Sequence, residues 1–257
     1  MSQQRWRLDG QLALVTGGSA GIGRAIAREL LGFGARVLIA ARDGNGLDAV
    51  RIELEEEFPD GEVRTCVADV ADDEQRRELL DWVEDIGDGL NILVNNAGGN
   101  LTKAAIDYSE DEWRGIFEVN LFSAFELARS TYPLLTKHAA SCIVNVGSVS
   151  AITHVRSGAP YGMSKAAMHQ MTRNLAVEWA EDGVRVNSVA PGSILFPGGS
   201  WHRRQQADPD GIAAFVRAEL PFGRFGRPEE VGAVVAFLAS SQASWISGAT
   251  VTVDGCQ

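Results

Sequence analysis

Tyr161 and Lys165 are the two residues whose types and spacing most directly suggest chemistry. They lie four positions apart in a segment whose apolar pattern predicts a helix, so their side chains should share one face, about one turn apart. A free phenol titrates near about pH 10 and is a poor acid or base at neutral pH. An ammonium at about 4 Å contributes around 4 kcal/mol at an effective dielectric constant of about 20, which would bring the pKa of Tyr161 to about 7. The pair predicts a tyrosine general acid/base tuned by a lysine.

Ser148 lies just after an apolar run, Cys142 to Val146, that predicts a buried strand. At the end of such a strand its hydroxyl can hydrogen-bond a reacting oxygen and stabilise the charge that develops there. We do not interpret Ser148 as a nucleophile, because no histidine stands in a context that predicts a His–carboxylate pair. The four histidines are expected at the surface or the pocket rim: His138, His154, His169 and His202.

A glycine-rich turn follows the first apolar run of the chain, Leu12 to Thr16. Its spacing departs from the G-x-G-x-x-G fingerprint, yet the physical roles still apply. Gly17 permits a sharp exit from the strand, Gly21 lets the backbone approach a pyrophosphate, and Gly23 lets the next helix pack closely. The free N–H groups at the start of that helix add about half a positive charge. The turn predicts a dinucleotide site, with a plain tight turn before a helix as the alternative.

The end of the second predicted strand, Arg36 to Ala41, indicates which dinucleotide binds. A carboxylate there would bind ribose hydroxyls and repel a 2′-phosphate, which favours NAD(H). This chain instead continues with Arg42, whose guanidinium suits a phosphate, and Arg24 in the first helix can assist. We therefore expect NADP(H) to be favoured over NAD(H). Asp43 is a reservation, since its carboxylate could pair with Arg42 or face the phosphate. The alternative interpretation of Arg42 is a solvated loop residue without a phosphate contact.

Predicted strands and helices alternate along the whole chain. The strand-like runs are apolar throughout, which is typical of strands buried on both faces of a parallel sheet. The expected fold class is α/β, a single-domain, Rossmann-like, doubly wound parallel sheet of about seven strands with helices on both faces. Residues 1–257 are interpreted as one dinucleotide-binding and catalytic domain. The helical patterns that follow the glycine turn cover residues 47–58, 72–86, 110–137, 159–181 and 228–239.

The segment 193–221 is rich in Gly, Pro and charged residues, and it predicts an irregular substrate loop. Three aromatic residues in it, Phe196, Trp201 and Phe215, are candidates for an apolar lid over the substrate. The residues of this segment do not identify the substrate.

The overall charge limits the possible partners. The chain carries 34 acidic and 23 basic residues, a formal net charge of −11. Such a surface repels phosphate backbones, which argues against nucleic acid and anionic membranes. The cysteines Cys66, Cys142 and Cys256 lack CxxC spacing and predict neither a disulfide framework nor a metal site. Without a signal-like start or an apolar run of about 20 residues, we expect a cytoplasmic protein with a small-molecule substrate.

Seven motifs occur in register along the chain: Thr16–Gly23, Asp69-Val70, Asn95–Gly98, Asn120, Ser148, Tyr161–Lys165 and Pro191-Gly192. Their order and spacing resemble those of the short-chain dehydrogenase/reductase family over nearly the whole chain. The segment from Met171 to Ile194 is most similar to the tropinone-reductase-like branch. The resemblance implies hydride transfer between NADP(H) and a carbonyl or secondary alcohol. It assigns catalytic roles to Asn120, Ser148, Tyr161 and Lys165, and no metal.

The resemblance also implies individual roles. Asn120 would hold a water molecule that links Lys165 to bulk solvent, and Lys165 would also bind the nicotinamide ribose. Asp69 and Val70 would hold the adenine, and Asn96 would line the adenosine side. Cofactor contacts are assigned to the following residues: Gly17, Ser19, Gly21, Ile22, Gly23, Arg42, Asp69, Val70, Asn96, Ala97, Gly98, Tyr161, Lys165, Pro191, Gly192 and Ile194.

The same family pattern implies a homodimer or homotetramer that pairs the helices predicted at 110–137 and 159–181, although packing on the sheet explains their apolar residues equally well. Where relatives end in Asp-Gly-Gly and a short tail, this chain reads Asp254 to Gln257 with Cys256 in place of a glycine. Two functional alternatives remain. One is an NAD-dependent alcohol dehydrogenase of the same family. The other is a regulator that binds the dinucleotide without turnover, against which the full catalytic set argues.

Overall fold

The computed structural model describes residues 6–87, 89–154 and 157–257. Residues 1–5 lie outside the described residues. They belong to the N-terminal segment in which the sequence predicted no secretion signal. The strands are β1 (Leu12–Thr16), β2 (Arg36–Ala41), β3 (Val63–Val67), β4 (Ile92–Asn95), β5 (Ser141–Val146), β6 (Val184–Pro191) and β7 (Thr250–Val253). The helices are α1 (Gly21–Gly32), α2 (Gly44–Glu57), α3 (Asp73–Asp85), α4 (Glu110–Phe117), α5 (Ser123–Leu135), α6 (Ala159–Glu178), α7 (Ser200–Ala207), α8 (Pro209–Glu219) and α9 (Pro228–Ala239).

The strands of the described residues form one parallel sheet in the order β3-β2-β1-β4-β5-β6-β7. The chain moves outward from β1 to β3 and then returns to β4 on the other side of β1, so the strand order reverses between β1 and β4. Ligands of such sheets bind beyond the carboxyl ends of the strands at this point. The expected doubly wound α/β fold is therefore confirmed.

Apolar side chains cover both faces of the sheet. Along β1, Ala13 and Val15 pack in the cluster beneath α1 and α9, whereas Leu12 and Leu14 pack in the cluster that faces α3, α5 and α6. Successive side chains of a strand point to opposite faces, so a strand that is buried on both sides is mostly apolar. This is why the central strands β1, β2 and β4 appear in the sequence as nearly continuous apolar runs.

The expectation of an irregular segment at 193–221 is wrong, because two helices, α7 and α8, occupy much of it. The sequence of α7, SWHRRQQA, is mostly polar and lacks the apolar stripe by which helices are recognised. Asp208 caps α8, since its Oδ1 accepts the backbone N–H of Gly211 at 2.9 Å. The segment 193–221 is therefore largely helical and not an irregular loop.

The helical pattern at 110–137 is divided into α4 and α5 by a π-helical turn, Glu118–Phe122. A π turn widens the backbone hydrogen bonds from i+4 to i+5, and such turns are frequent at functional sites. The turn contains Asn120, which is fully buried. No helix of the described ranges is both long and apolar enough to cross a membrane.

Candidate active site

A cleft of about 340 Å³ opens at the carboxyl ends of β1, β2 and β4 and beside the residues that follow β3. It lies where the strand order reverses, as expected for this sheet. Seven of the predicted cofactor residues line it. The lining residues are Gly17, Ser19, Ala40, Ala41, Arg42, Asp43, Ala68, Asp69, Val70, Ala97, Gly98 and Val119. Val119 comes from the π turn, and the sequence offered no signal for it.

Thr16 and Asn96 hold the glycine turn in place from behind. The Thr16 hydroxyl accepts the backbone N–H groups of Asn96 and Ala97, each at 3.0 Å. The Asn96 amide donates to the carbonyl oxygens of Thr16 and Gly17 at 2.8 and 3.1 Å. Gly17 has a φ of +67°, and a Cβ there would lie 2.9 Å from the Ala97 backbone, so only glycine fits. Asn96 therefore shapes the turn and is not among the cleft-lining residues, in contrast to the expectation.

The N-terminus of α1 opens beside this turn. Its first turn contains no acidic residue, and the N-cap, Ala20, has no side chain that could accept the free N–H groups. These groups and the helix dipole favour an anion. The ring of Phe196 lies close by, because a Cβ on Gly21 would be 2.6 Å from it.

Arg42 stands at the rim of the cleft with its side chain 73% exposed. Its nearest acidic partner is Asp69, at 3.7 Å, and exposed ion pairs of this kind contribute only about 0–1 kcal/mol. Asp43 turns away towards Gly46, where a Cβ would lie 2.7 Å from its Oδ2. Of the two alternatives for Asp43, pairing with Arg42 is not seen among the ion pairs of the described residues. The guanidinium is thus free to reorient towards a ligand.

Asn120 joins the π turn to the loop after β4. Its Oδ1 accepts the Gly99 N–H at 3.0 Å, and its Nδ2 donates to the Gly99 carbonyl at 2.8 Å. A Cβ on Gly98 would lie 2.7 Å from Asn120 Oδ1 and 3.5 Å from Lys165 Nζ. The loop, Asn120 and Lys165 are therefore in close contact, with the Asn120 side chain fully engaged by the backbone.

Ser148, Tyr161 and Lys165 meet at the carboxyl end of β5. Ser148 is two residues beyond Val146, whose carbonyl accepts a 2.8 Å hydrogen bond from Lys165 Nζ. That nitrogen lies 5.9 Å from the centre of the Tyr161 ring. Because Tyr161 and Lys165 are one turn apart on α6, the single bond from Lys165 to β5 places the phenol beside Ser148.

The electrostatics of this trio differ from the expectation. Burial raises the pKa of Tyr161, and hydrogen bonding from Ser148 opposes that rise only in part. Burial also lowers the pKa of Lys165 to about 8. The expectation that Lys165 brings the pKa of Tyr161 to about 7 is wrong for this structure, because a low-dielectric environment penalises the charged form of both groups. The ammonium is also directed at the Val146 carbonyl.

His169 contradicts the expectation that the histidines lie at the surface or the rim. It is only 2% exposed, one turn beyond Lys165 on α6, and a Cβ on Gly147 would overlap its Nε2. Burial first, and then the positive charges of Lys165 and Arg173, lower the pKa of His169 to about 4. A neutral imidazole therefore supports β5 immediately before Ser148. Of the others, His154 is exposed, and His138 and His202 are half-buried.

The aromatic residues of 193–221 separate into two groups. Trp201 stacks on Phe215 at 4.7 Å between ring centres and lies 5.2 Å from Phe225, which sequence analysis did not identify. Phe196 does not join this cluster; it packs against the main core and the Gly21 turn. Of the three residues of the predicted lid, Trp201 and Phe215 pack together, and Phe196 lies apart from them.

Three further predicted cofactor residues, Pro191, Gly192 and Ile194, continue from the end of β6 and do not line the cleft. The Gly192 N–H donates to the Val253 carbonyl at 3.1 Å. The Ser193 N–H donates to Gln257 Oε1 at 2.8 Å. The Gln257 side chain thus holds this loop.

Ile22 and Gly23 also lie behind the cleft, within α1, where Gly23 is buried and Ile22 packs on the core. No group of three or more His, Cys, Asp or Glu side chains in the described part of the chain is arranged to hold a metal ion.

Comparisons with known proteins identify the family of this chain. A family model described as enoyl-(acyl carrier protein) reductase matches residues 17–256. A tropinone reductase homolog of Arabidopsis thaliana is 41% identical over 253 residues, which cover 98% of this chain and 91% of that protein. The Pseudomonas aeruginosa RhlG/NADP active-site complex aligns with a TM-score of 0.90 and 35% identity over 98% of both chains. L-sorbose reductase from Gluconobacter frateurii, complexed with NADPH and L-sorbose, aligns with a TM-score of 0.92 and 29% identity over 98% of this chain and 97% of that chain. The fold, the motifs in register and these likenesses together place the chain in the short-chain dehydrogenase/reductase family, to which it belongs.

Proposed function

We propose that this chain is an NADP(H)-dependent reductase that converts a carbonyl to a secondary alcohol, with Tyr161 as general acid/base. The observation that carries the proposal is the meeting of Ser148, Tyr161 and Lys165 at the end of β5, with Lys165 Nζ beside Gly98 at the edge of the cleft. A proton donor, an oxyanion-stabilising hydroxyl and a buried cation thus adjoin the place where a dinucleotide fits.

The cleft residues fit the adenosine half of a dinucleotide. Gly17 and Gly98 present backbone without side chains, which allows close approach, and the open N-terminus of α1 suits a pyrophosphate. Arg42 is exposed and weakly paired, so its guanidinium can contact a 2′-phosphate, with the Ser19 hydroxyl on the same wall. Two similar structures hold NADP or NADPH. These features support NADP(H) over NAD(H).

A nicotinamide bound at this edge supplies or accepts the hydride at the carbonyl carbon. Tyr161 donates its phenolic proton to the substrate oxygen. Because burial raises the pKa of Tyr161, the phenol is protonated at neutral pH and is ready to donate. Ser148 donates a hydrogen bond to the same oxygen and stabilises the negative charge that develops there before the proton arrives.

Lys165 restores the proton and holds the cofactor side of the site. With a pKa of about 8 its amine is mostly protonated at neutral pH, and its position next to Gly98 allows it to bind a ribose hydroxyl. Asn120 positions the loop at residues 98–99 against Lys165 through both groups of its amide. The π turn around Asn120 widens the backbone ladder, which favours a water molecule between Lys165 and solvent.

We further propose that one domain, residues 1–257, carries the activity, with 193–221 as its substrate segment, and that the protein assembles as a homodimer or homotetramer through α5 and α6. Phe125 on α5 is 40% exposed and Val177 on α6 is 80% exposed. Large exposed apolar residues on neighbouring helices are typical of surfaces that associate.

The test is turnover with a panel of cyclic, bicyclic and acyl-type ketones, measured by NADPH consumption. Tyr161→Phe removes the proton donor, and general acid/base groups contribute about 10²–10⁴-fold, so kcat should fall by about that factor while NADPH still binds. A Tyr161→Phe protein that turns over at the parent rate would exclude the mechanism. Tight NADPH binding without activity on any ketone would instead favour the regulator, and faster turnover with NAD(H) would overturn the cofactor assignment.

A further inference from the structure

Ser150 contacts the hydroxyl that is proposed to stabilise the reacting oxygen. Its backbone N–H donates to Ser148 Oγ at 3.1 Å, and its own hydroxyl oxygen accepts a hydrogen bond from Ser148 Oγ at 3.1 Å. Among the described residues, Ser148 is the only side-chain partner of the Ser150 hydroxyl. The Ser150 hydroxyl therefore holds no other side chain of the described residues.

The proton count around Ser148 explains why this contact matters. A serine hydroxyl has one proton to donate and two lone pairs that accept. The Ser150 N–H occupies one lone pair of Ser148 Oγ. In this structure the single proton of Ser148 points to Ser150 Oγ. Once a reacting oxygen accepts that proton, the Ser150 hydroxyl can turn and donate to the remaining lone pair of Ser148, which holds the Ser148 proton towards the place where Tyr161 and the substrate oxygen meet. Without Ser150, that proton is free to rotate away.

The position of Ser150 relative to Tyr161 is set by close packing. Ser150 lies in a single 3₁₀ turn, Val149–Ala151, that Ser148 caps. A Cβ on Gly162 would lie 2.9 Å from the Ser150 carbonyl oxygen, so α6 touches this turn at the residue after Tyr161. The two serines and the phenol are therefore held on one rigid contact between β5 and α6.

We propose that Ser150 is a positioning residue that orients the Ser148 proton towards the reacting oxygen. The proposal rests on the reductase function proposed above. Ser150 acts through Ser148 and touches neither substrate nor cofactor, so it should affect kcat and leave both KM values nearly unchanged. Because hydrogen bonding from Ser148 also lowers the pKa of Tyr161, a misoriented Ser148 proton should raise that pKa.

The experiment compares Ser150→Ala with Ser150→Thr, which keeps the hydroxyl, and Thr136→Ala, which removes an exposed hydroxyl at the end of α5. Direct loss of an oxyanion donor costs about 10²–10³-fold, so loss of its orientation alone should lower kcat by about 10-fold in Ser150→Ala. Ser150→Thr should recover most of the rate, and Thr136→Ala should match the parent. The pH at which kcat for alcohol oxidation reaches half its maximum should rise in Ser150→Ala.

A double variant separates orientation from structural support. Ser148→Ala has no proton to orient, so adding Ser150→Ala to it should change kcat by less than about two-fold. A parental kcat in Ser150→Ala, or a full further loss in the double variant, overturns the proposal. An unaffected Ser148→Ala would instead refute the reductase mechanism itself. If Ser150→Ala does not fold, Ser150→Cys decides the point, since its weak donor should give an intermediate kcat and a rate equal to the parent would contradict the role.

Discussion

The proposed cofactor side and the proposed substrate side of this site are held by different kinds of interaction. On the cofactor side, Thr16 and Asn96 fix the glycine turn with four hydrogen bonds to backbone groups. On the substrate side, Trp201, Phe215 and Phe225 contact one another through ring faces and edges. Hydrogen bonds are directional and fix atoms within tenths of an ångström, whereas apolar contacts allow the rings to shift. A rigidly held glycine turn thus contrasts with an aromatic cluster that can change shape.

The largest effect is expected from Thr16→Val, which keeps the shape but removes the hydroxyl. Two part-buried N–H groups would lose their acceptor, and each unsatisfied group costs about 1–3 kcal/mol, so the free energy of unfolding should fall by about 3 kcal/mol. Affinity for the dinucleotide should fall with it, because the turn loosens. Thr16→Ser keeps the oxygen and serves as the control in urea unfolding and cofactor titration. Equal stability of the Val and Ser variants would show that the cofactor side is no more rigid than the substrate side.

His169, which packs against Gly147 just before Ser148, offers a second test. Its pKa is about 4 in the folded protein and about 6.5 in an unfolded chain. As pH falls from 6.5 to 4, the unfolded chain binds a proton that the folded chain does not, so the free energy of unfolding should decrease, by about 2–3 kcal/mol in total. Urea unfolding across this range should show less of this decrease in His169→Asn, with exposed His154→Asn as the control. If the pH dependence of the free energy of unfolding is unchanged in His169→Asn, the folded protein accommodates the charged imidazole of His169.

Arg42→Asp tests the part of the cofactor side that is not rigid. A charge-assisted hydrogen bond to phosphate contributes about 1.5–3 kcal/mol, so Kd for NADPH should rise by about 30-fold while Kd for NADH stays the same or falls. Arg114→Asp, an equal charge change on exposed α4, should leave both Kd values unaffected. Fluorescence titration measures them. Parallel weakening of both cofactors in Arg42→Asp would exclude a contact specific to the 2′-phosphate.

The smallest effect is expected from Trp201→Ala on the substrate side. Aromatic pairs contribute about 0.5–1.5 kcal/mol beyond their burial, and Trp201 is only half-buried. The KM for ketones should change several-fold, differently for small and bulky ketones, while Kd for NADPH stays constant. Trp245→Ala, at a residue 98% exposed, is the matched control. A uniform change in KM for all ketones would mean that the aromatic cluster does not shape the pocket.

The amino-acid sequence by itself determined the fold class and most of the cofactor side. A strand buried on both faces is mostly apolar, and a turn with a φ of +67° requires Gly17, so both features are visible in the local residue types. The pair Tyr161 and Lys165 was visible for the same reason, since one helical turn determines which residues share a face.

Only the tertiary structure decided the burial, the pKa values and the contacts of those residues. The neutral state of His169 and the raised pKa of Tyr161 come from burial between β5, β6 and α6, which joins segments far apart in the chain. Asn96 likewise bonds the backbone of the glycine turn only because β1 lies beside β4. Helix α7 has a mostly polar sequence, and its Trp201 packs against α8 and Phe225. Burial and long-range packing are properties of the folded chain, so local sequence patterns do not predict them.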